Sequence, residues 1–147
     1  MASKIAYEKY ILPIGALALV YFGGKKLFEV FGIIDDDNDR IKKETLLPGS
    51  PFDPTIWQQY GGTWPLTVVQ ATAYAKTLDS ARGGLFNDNE AAVYGVFQAL
   101  KSKAAVSFLA NTFEIIYGVS LAYFLQDFLS DSEFAGIVSI VNALPTK

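Results

Sequence analysis

The stretch YILPIGALALVYFGGKK, Tyr10 to Lys26, constrains this chain more than any other: about fifteen uncharged residues lie between Lys9 and the Lys25-Lys26 pair. In hydrocarbon a single segment satisfies its own backbone only as a helix. At about 1.5 Å per residue such a run reaches roughly 22 Å, against a bilayer core about 30 Å thick. Lys4, Lys9, Lys25 and Lys26 can close that gap by snorkelling, so that Ile5 to Leu27 share the bilayer. Tyr7, Tyr10, Tyr21 and Phe22 gather towards the two ends, as interfacial aromatics do. Pro13 stands near the start, where lipid tolerates a kink better than water does. The expectation is an uncleaved single-pass anchor over residues 1–34. Its lipid-facing contacts would be Tyr10, Ile11, Leu12, Ile14, Leu17, Leu19, Val20, Tyr21 and Phe22. A buried or partner-binding helix and a cleaved signal are the rival readings. The signal reading lacks a small-x-small site, because Gly23-Gly24 runs straight into Lys25-Lys26 and the apolar Leu27 to Ile34. The excess of Lys and Arg after the run puts the C-terminal side in the cytoplasm by the positive-inside rule.

Several functions are excluded by what the chain lacks. It has no Cys, so no disulfide framework and no thiolate metal site, and no His, the commonest general base and zinc ligand. A net charge of −3 without a basic stripe gives nucleic-acid binding little electrostatic support. Hydrophobic residues at 51% are far from a disordered composition.

After the apolar run comes DDDNDRIKKE, Asp35 to Glu44. Asp35, Asp37 and Asp39 have the alternate spacing of a calcium loop, but Arg40 stands where the loop needs Gly and Leu46 where it needs Glu. A solvated linker is the expectation. LLPGSPFDPTIWQQYGGTWP, rich in Pro and Gly, then reads as an extended connector to residue 64, with one helical turn capped by Asp53 and opened by Pro54. Trp57, Tyr60 and Trp64 are its candidate contact residues, either as a binding patch or folded back onto the following domain.

From Pro65 the pattern becomes a series of amphipathic helices. Helix A is expected over Pro65 to Ala81, with Ala71, Tyr74, Ala75 and Leu78 on its buried stripe. Helix B runs from Asn89 to Leu100 behind an Asp88 cap. Helix C runs from Lys103 to Tyr117, with Val106, Leu109, Ala110, Phe113, Ile116 and Tyr117 inward and Gly118 as its C-terminal cap. Helix D runs from Leu121 to Leu129 behind Ser120, and Ser130 and Asp131 bridge it to helix E, Ser132 to Leu144. The fold class is therefore all-α: an anchor helix, a linker over 35–64 and a compact five-helix bundle over 65–147.

The segments AYAKTLDSARGGLFNDNEAAVYGVF and ANTFEIIYGVSLAYFLQDFLSDSEFAGIVSIVNALP resemble a single annexin repeat over residues 66–145. The order and length of the five helices, the Tyr117-Gly118 pair and the Leu121 and Leu125 spacing carry the likeness. The resemblance implies calcium-dependent binding to lipid headgroups, through a Gly-x-Gly-Thr loop between helices A and B and a carboxylate on helix D. Here Gly84 matches the first Gly, Phe86 replaces the second and Asn87 replaces the Thr. Phe128 stands where the carboxylate is expected, with Asp127 one residue off, about 100° round a helix. No calcium site is expected, and Phe86 is taken as a packing or contact residue.

A pair drawn from Asp88, Glu90, Glu114, Asp127, Asp131 and Glu133 has the residue type for glycoside hydrolysis. Their places on polar helix faces make solvent exposure the expectation, so no enzyme, metal, cofactor or small-molecule substrate is expected. The whole form is similar to minor membrane proteins of lipid-containing bacteriophages: anchor, linker, one small domain. That points to a structural protein whose partners are the bilayer and other structural proteins or its own copies, in a virion's internal membrane or a bacterial inner membrane. An annexin-type lipid-binding module and a membrane-active lysis factor are the alternatives.

Overall fold

In the computed structural model of this protein, residues 37–60, 64–83 and 88–147 are described, with side chains from Arg40 onwards. The expected anchor residues, Tyr10 to Phe22, and Phe86 lie outside the described residues. Every regular element among the described residues is helical. They are α1 (Asp37–Thr45), a 3-10 turn (Ile56–Tyr60), α2 (Val68–Ala81), α3 (Glu90–Ala99), α4 (Lys103–Tyr117), α5 (Leu121–Phe128) and α6 (Asp131–Ala143).

Local chemistry sets the ends of these helices. Thr67 and Gln70 form a reciprocal capping box, so α2 starts at Val68 rather than at Pro65. Asn89, not Asp88, caps α3, its Oδ1 accepting from Ala92 N–H at 3.1 Å. Ser102 caps α4, and Gly118, left-handed at φ 70°, closes it at the expected residues. Ser120 precedes α5 but makes no side-chain capping bond. Ser130 and Glu133 form a second capping box, so Asp131 belongs to α6 instead of bridging to it.

At the centre stands α4, with Val106, Leu109, Ala110 and Phe113 buried. Phe97 of α3, Leu121 and Leu125 of α5, and Phe134, Ile137 and Val141 of α6 complete one core around it. The C-terminal tail ties back: Lys103 N–H donates to Pro145 C=O and Ala104 N–H to Thr146 C=O, satisfying orphan donors of α4's first turn. No single helix among the described residues is long and apolar enough to cross a membrane. The pair α4–α5 has the composition only when joined across an 81° bend, and its apolar faces are the core itself.

Two expectations fail. The charged stretch expected as a solvated linker is helix α1 from Asp37, and α1 lies against α6. Gln126 of α5 donates to Lys42 C=O and Thr45 Oγ1 at 3.0 Å, capping the C-terminal end of α1, and Lys42 pairs with Asp131. The connector behind it is not extended either. Leu47, Phe52 and Ile56 are buried, and Phe52 is 3% exposed between Phe97 and Phe134. The third correction is smaller: Ile116 is 42% exposed rather than on the buried stripe of α4. After Gly118 the chain bends by 81° into α5.

One contact demands glycine. A Cβ on Gly136 of α6 would collide with the Tyr94 hydroxyl, which donates to Glu133 C=O at 3.1 Å. Gly136→Ala is expected to cost about 1–3 kcal/mol in overpacking, less about 1 kcal/mol gained in helix propensity. The loss should shrink in a Tyr94→Phe background, which removes the clashing oxygen. Urea unfolding of the four members of that cycle measures it; equal losses in both backgrounds would show that Tyr94 is not the obstacle.

Candidate functional site

The 3-10 turn and the entry to α2 converge on the outer face of α4's first half. Ser107 is fully buried there, and its hydroxyl donates to Asp53 C=O at 2.5 Å while accepting from Trp57 N–H at 3.0 Å. Those two hydrogen bonds seat the Trp57 ring edge-on against Phe108, with centroids 4.9 Å apart. Trp64 meets the same ring at 5.2 Å and Trp57 at 5.5 Å. Two of the three described contact residues thus form one cluster with Phe108, and Tyr60 ends the 3-10 turn half-buried. The fourth, Phe86, lies outside the described residues. Trp57 Nε1 is buried without a hydrogen-bond partner among the described residues.

The cluster is folded back onto the helical body, yet one side of it remains in solvent. Trp64 is 62% exposed, and Val68 and Val69 at the start of α2 are 57% and 78% exposed. Residues 54–75 carry no charged side chain in a chain that is 18% charged. The exposed polar groups of this stretch, Thr55, Gln58, Gln59 and Gln70 among them, are neutral. Neither Phe108 nor the two valines was legible as a contact residue by helix periodicity. Phe108 lies on the side of α4 opposite its core stripe, and Ile115, seven residues on, continues that side into solvent. That i, i+7 pair is the signal that would have found it.

The loop beneath is organised by Asp53. Partial burial opposes its charge, but hydrogen bonds from Gly49 N–H and from the hydroxyl and N–H of Thr55 outweigh that and hold its carboxyl below the ordinary value of 3.8. Gly49, at φ 88°, is the residue type this turn needs. A depressed folded pKa stabilises the fold above the unfolded value and ceases to do so as pH falls through the folded one. Wild type should therefore be more stable than Asp53→Asn at pH 7, with the gap closing below about pH 3.8; a gap independent of pH in urea titrations would refute this.

Of the acidic residues singled out from the sequence, Glu90 and Glu133 come together. Glu90 lies beside Glu133, and its pKa is raised by their shared hydrogen bond and then by Glu133's charge. Glu133 is held low by the Ser130 hydroxyl and N–H in its capping box. Both are at the surface, and Glu133 is committed to capping α6. Asp127 pairs with Arg82 at 2.6 Å, and Arg82 also lies over the Phe124 ring. Its carboxylate is thus satisfied within the fold, beside Phe128, which packs on Phe124. Tyr117 is raised by burial and by Asp79, to which it is hydrogen-bonded. No group of three or more acidic side chains among the described residues is placed to hold a metal ion. An open groove of about 460 Å³ between α1, Ser50-Pro51 and α6 contains one carboxylate, Glu44.

No family model matches this chain, and neither a curated protein nor a solved structure matches it. The likeness to an annexin repeat rests on the residues quoted above.

Proposed function

We propose that this protein is a membrane-anchored scaffold: the Tyr10–Phe22 run holds it in a bilayer, and the helical body from Asp37 binds a neighbouring protein or another copy of itself. The observation that carries the reading is the end of α4. This helix is the centre of the core, yet it leaves Ile115, 76% exposed, and Ile116 side by side in solvent. Adjacent large apolar side chains on a small body mark a contact surface. Glu133, Asp131 and Asp127 are engaged in a cap and in ion pairs within the fold. In a virion with an internal membrane, such a protein would link the bilayer to capsid or neighbouring proteins.

A photo-crosslinking residue at Ile115 in the full, membrane-bound chain tests this. Capture of a defined protein neighbour or of a second copy is expected. Labelling of lipid or water alone would dismiss the scaffold role.

A further inference from the structure

We propose that the exposed apolar surface of Trp64, Val68 and Val69, with Trp57 behind it in a stretch that carries no charged residue, is a second membrane contact, seated in the headgroup region of the bilayer that holds the N-terminal run. The proposal rests on the anchor reading for its tether and on the described surface for its chemistry.

The tether sets the geometry. Ten residues, and so eleven Cα-to-Cα steps, separate Lys26 from Asp37, where the helical body begins. Fully extended they reach no more than about 40 Å. A body of this size has a radius of gyration of roughly 13 Å, so any of its faces can be laid on the lipid surface. Tethering also raises the effective concentration of that surface to the millimolar range, where a modest affinity is enough.

The chemistry selects the face. Ions resist leaving water, and the chain from Pro54 to Ala75 offers none. Trp is the residue type that prefers the membrane interface, its ring apolar and its N–H polar. Trp64, Val68 and Val69 are all more than half exposed, so insertion requires no unfolding. The other exposed apolar pair, Ile115-Ile116, follows the exposed Glu114, whose charge suits a protein partner better than a bilayer.

Both tryptophans of the chain lie on this face and none lies in the N-terminal run, so indole emission reports on it alone. The full chain is reconstituted in phosphatidylcholine–phosphatidylglycerol vesicles, with and without brominated acyl chains. Trp57→Phe isolates Trp64, and the difference between wild type and Trp64→Phe gives the same signal should Trp57→Phe fold poorly. Shallow insertion, about 5–10 Å deep, predicts a blue-shifted Trp64 emission cut roughly in half by bromolipid and protected from iodide. Val69→Glu should abolish the bromolipid quenching while co-flotation with vesicles is unchanged. Flotation with Trp64 quenched by iodide and not by bromolipid overturns this proposal and leaves the anchor standing. A protein that does not float overturns both. A blue shift without bromolipid quenching, accompanied by cross-linked dimers, assigns the face to a second copy and also overturns it.

Discussion

Replacing Phe52 with Ala is expected to destabilise the helical body by about 3–5 kcal/mol, the usual range for a fully buried aromatic. The ring is 3% exposed and touches Phe97 of α3 and Phe134 of α6, two of the largest fully buried side chains in the structure. Its removal leaves a void between α3 and α6. It also frees the segment from Leu47 to Ile56, which leads from α1 into the 3-10 turn. Thermal unfolding followed by circular dichroism should show a midpoint more than about 10 °C lower. A shift of only a degree or two would mean that residues 47–56 are the free connector their Pro and Gly content suggests. Association with membranes should be unchanged in this variant, provided it is assayed well below its midpoint.

Leu17→Arg acts at the other end of the chain. Leu17 lies in the middle of the uncharged run, and the expectation rests on the sequence alone. On insertion scales an Arg at the centre of a span costs about 3 kcal/mol relative to Leu, a factor of more than a hundred in partitioning. The run spans only with the help of its flanks, so the helix has little spare apolar length with which to offset a charge at its centre. The variant should move from the membrane fraction into solution while its helical body melts as wild type does. If partitioning is unchanged and the melt drops instead, the run is packed against protein rather than lipid. The two substitutions thus separate the chain's two ends: Phe52→Ala alters folding and spares retention, and Leu17→Arg does the reverse.

Helices whose signals are local were legible from sequence. The span of α4 is set by a Ser102 cap, an unbroken apolar stripe and a left-handed Gly118, all readable within the segment itself. The stripe of α6, Phe134, Ile137, Val138 and Val141, is buried as its spacing predicts. Boundaries slipped where two capping residues stand together. Asp88-Asn89 gave the cap to the wrong neighbour, and Ser130 was joined to a bridge rather than to its Glu133 partner. Helix α1 was missed because Ile41 is the only large apolar residue in DNDRIKKET, too little for a periodic signal. What holds it is tertiary: Gln126 caps its end from 81 to 84 residues away, and Lys42 pairs with Asp131. Phe52 was missed for a related reason. It sits among Pro and Gly with no helical period, so its burial depends on helices that come later in the chain.

The contact surface was legible in its aromatics and not in its support. Trp57 and Trp64 stand out in any reading, but Ser107, which fixes Trp57 by accepting its N–H, is an ordinary residue in an apolar helix until the Asp53 loop is laid across it. Ile115 and Ile116 fit a helical stripe as well as their neighbours do. Only the turn after Gly118, which sends α5 off at 81°, shows that nothing among the described helices covers them.

Carbonate extraction of membranes carrying either the full chain or a version beginning at Asp35 is the most direct test of the two-part organisation. The account predicts that the full chain stays in the pellet, whereas the version from Asp35 is released as a folded helical protein. Release of both as soluble monomers would contradict it.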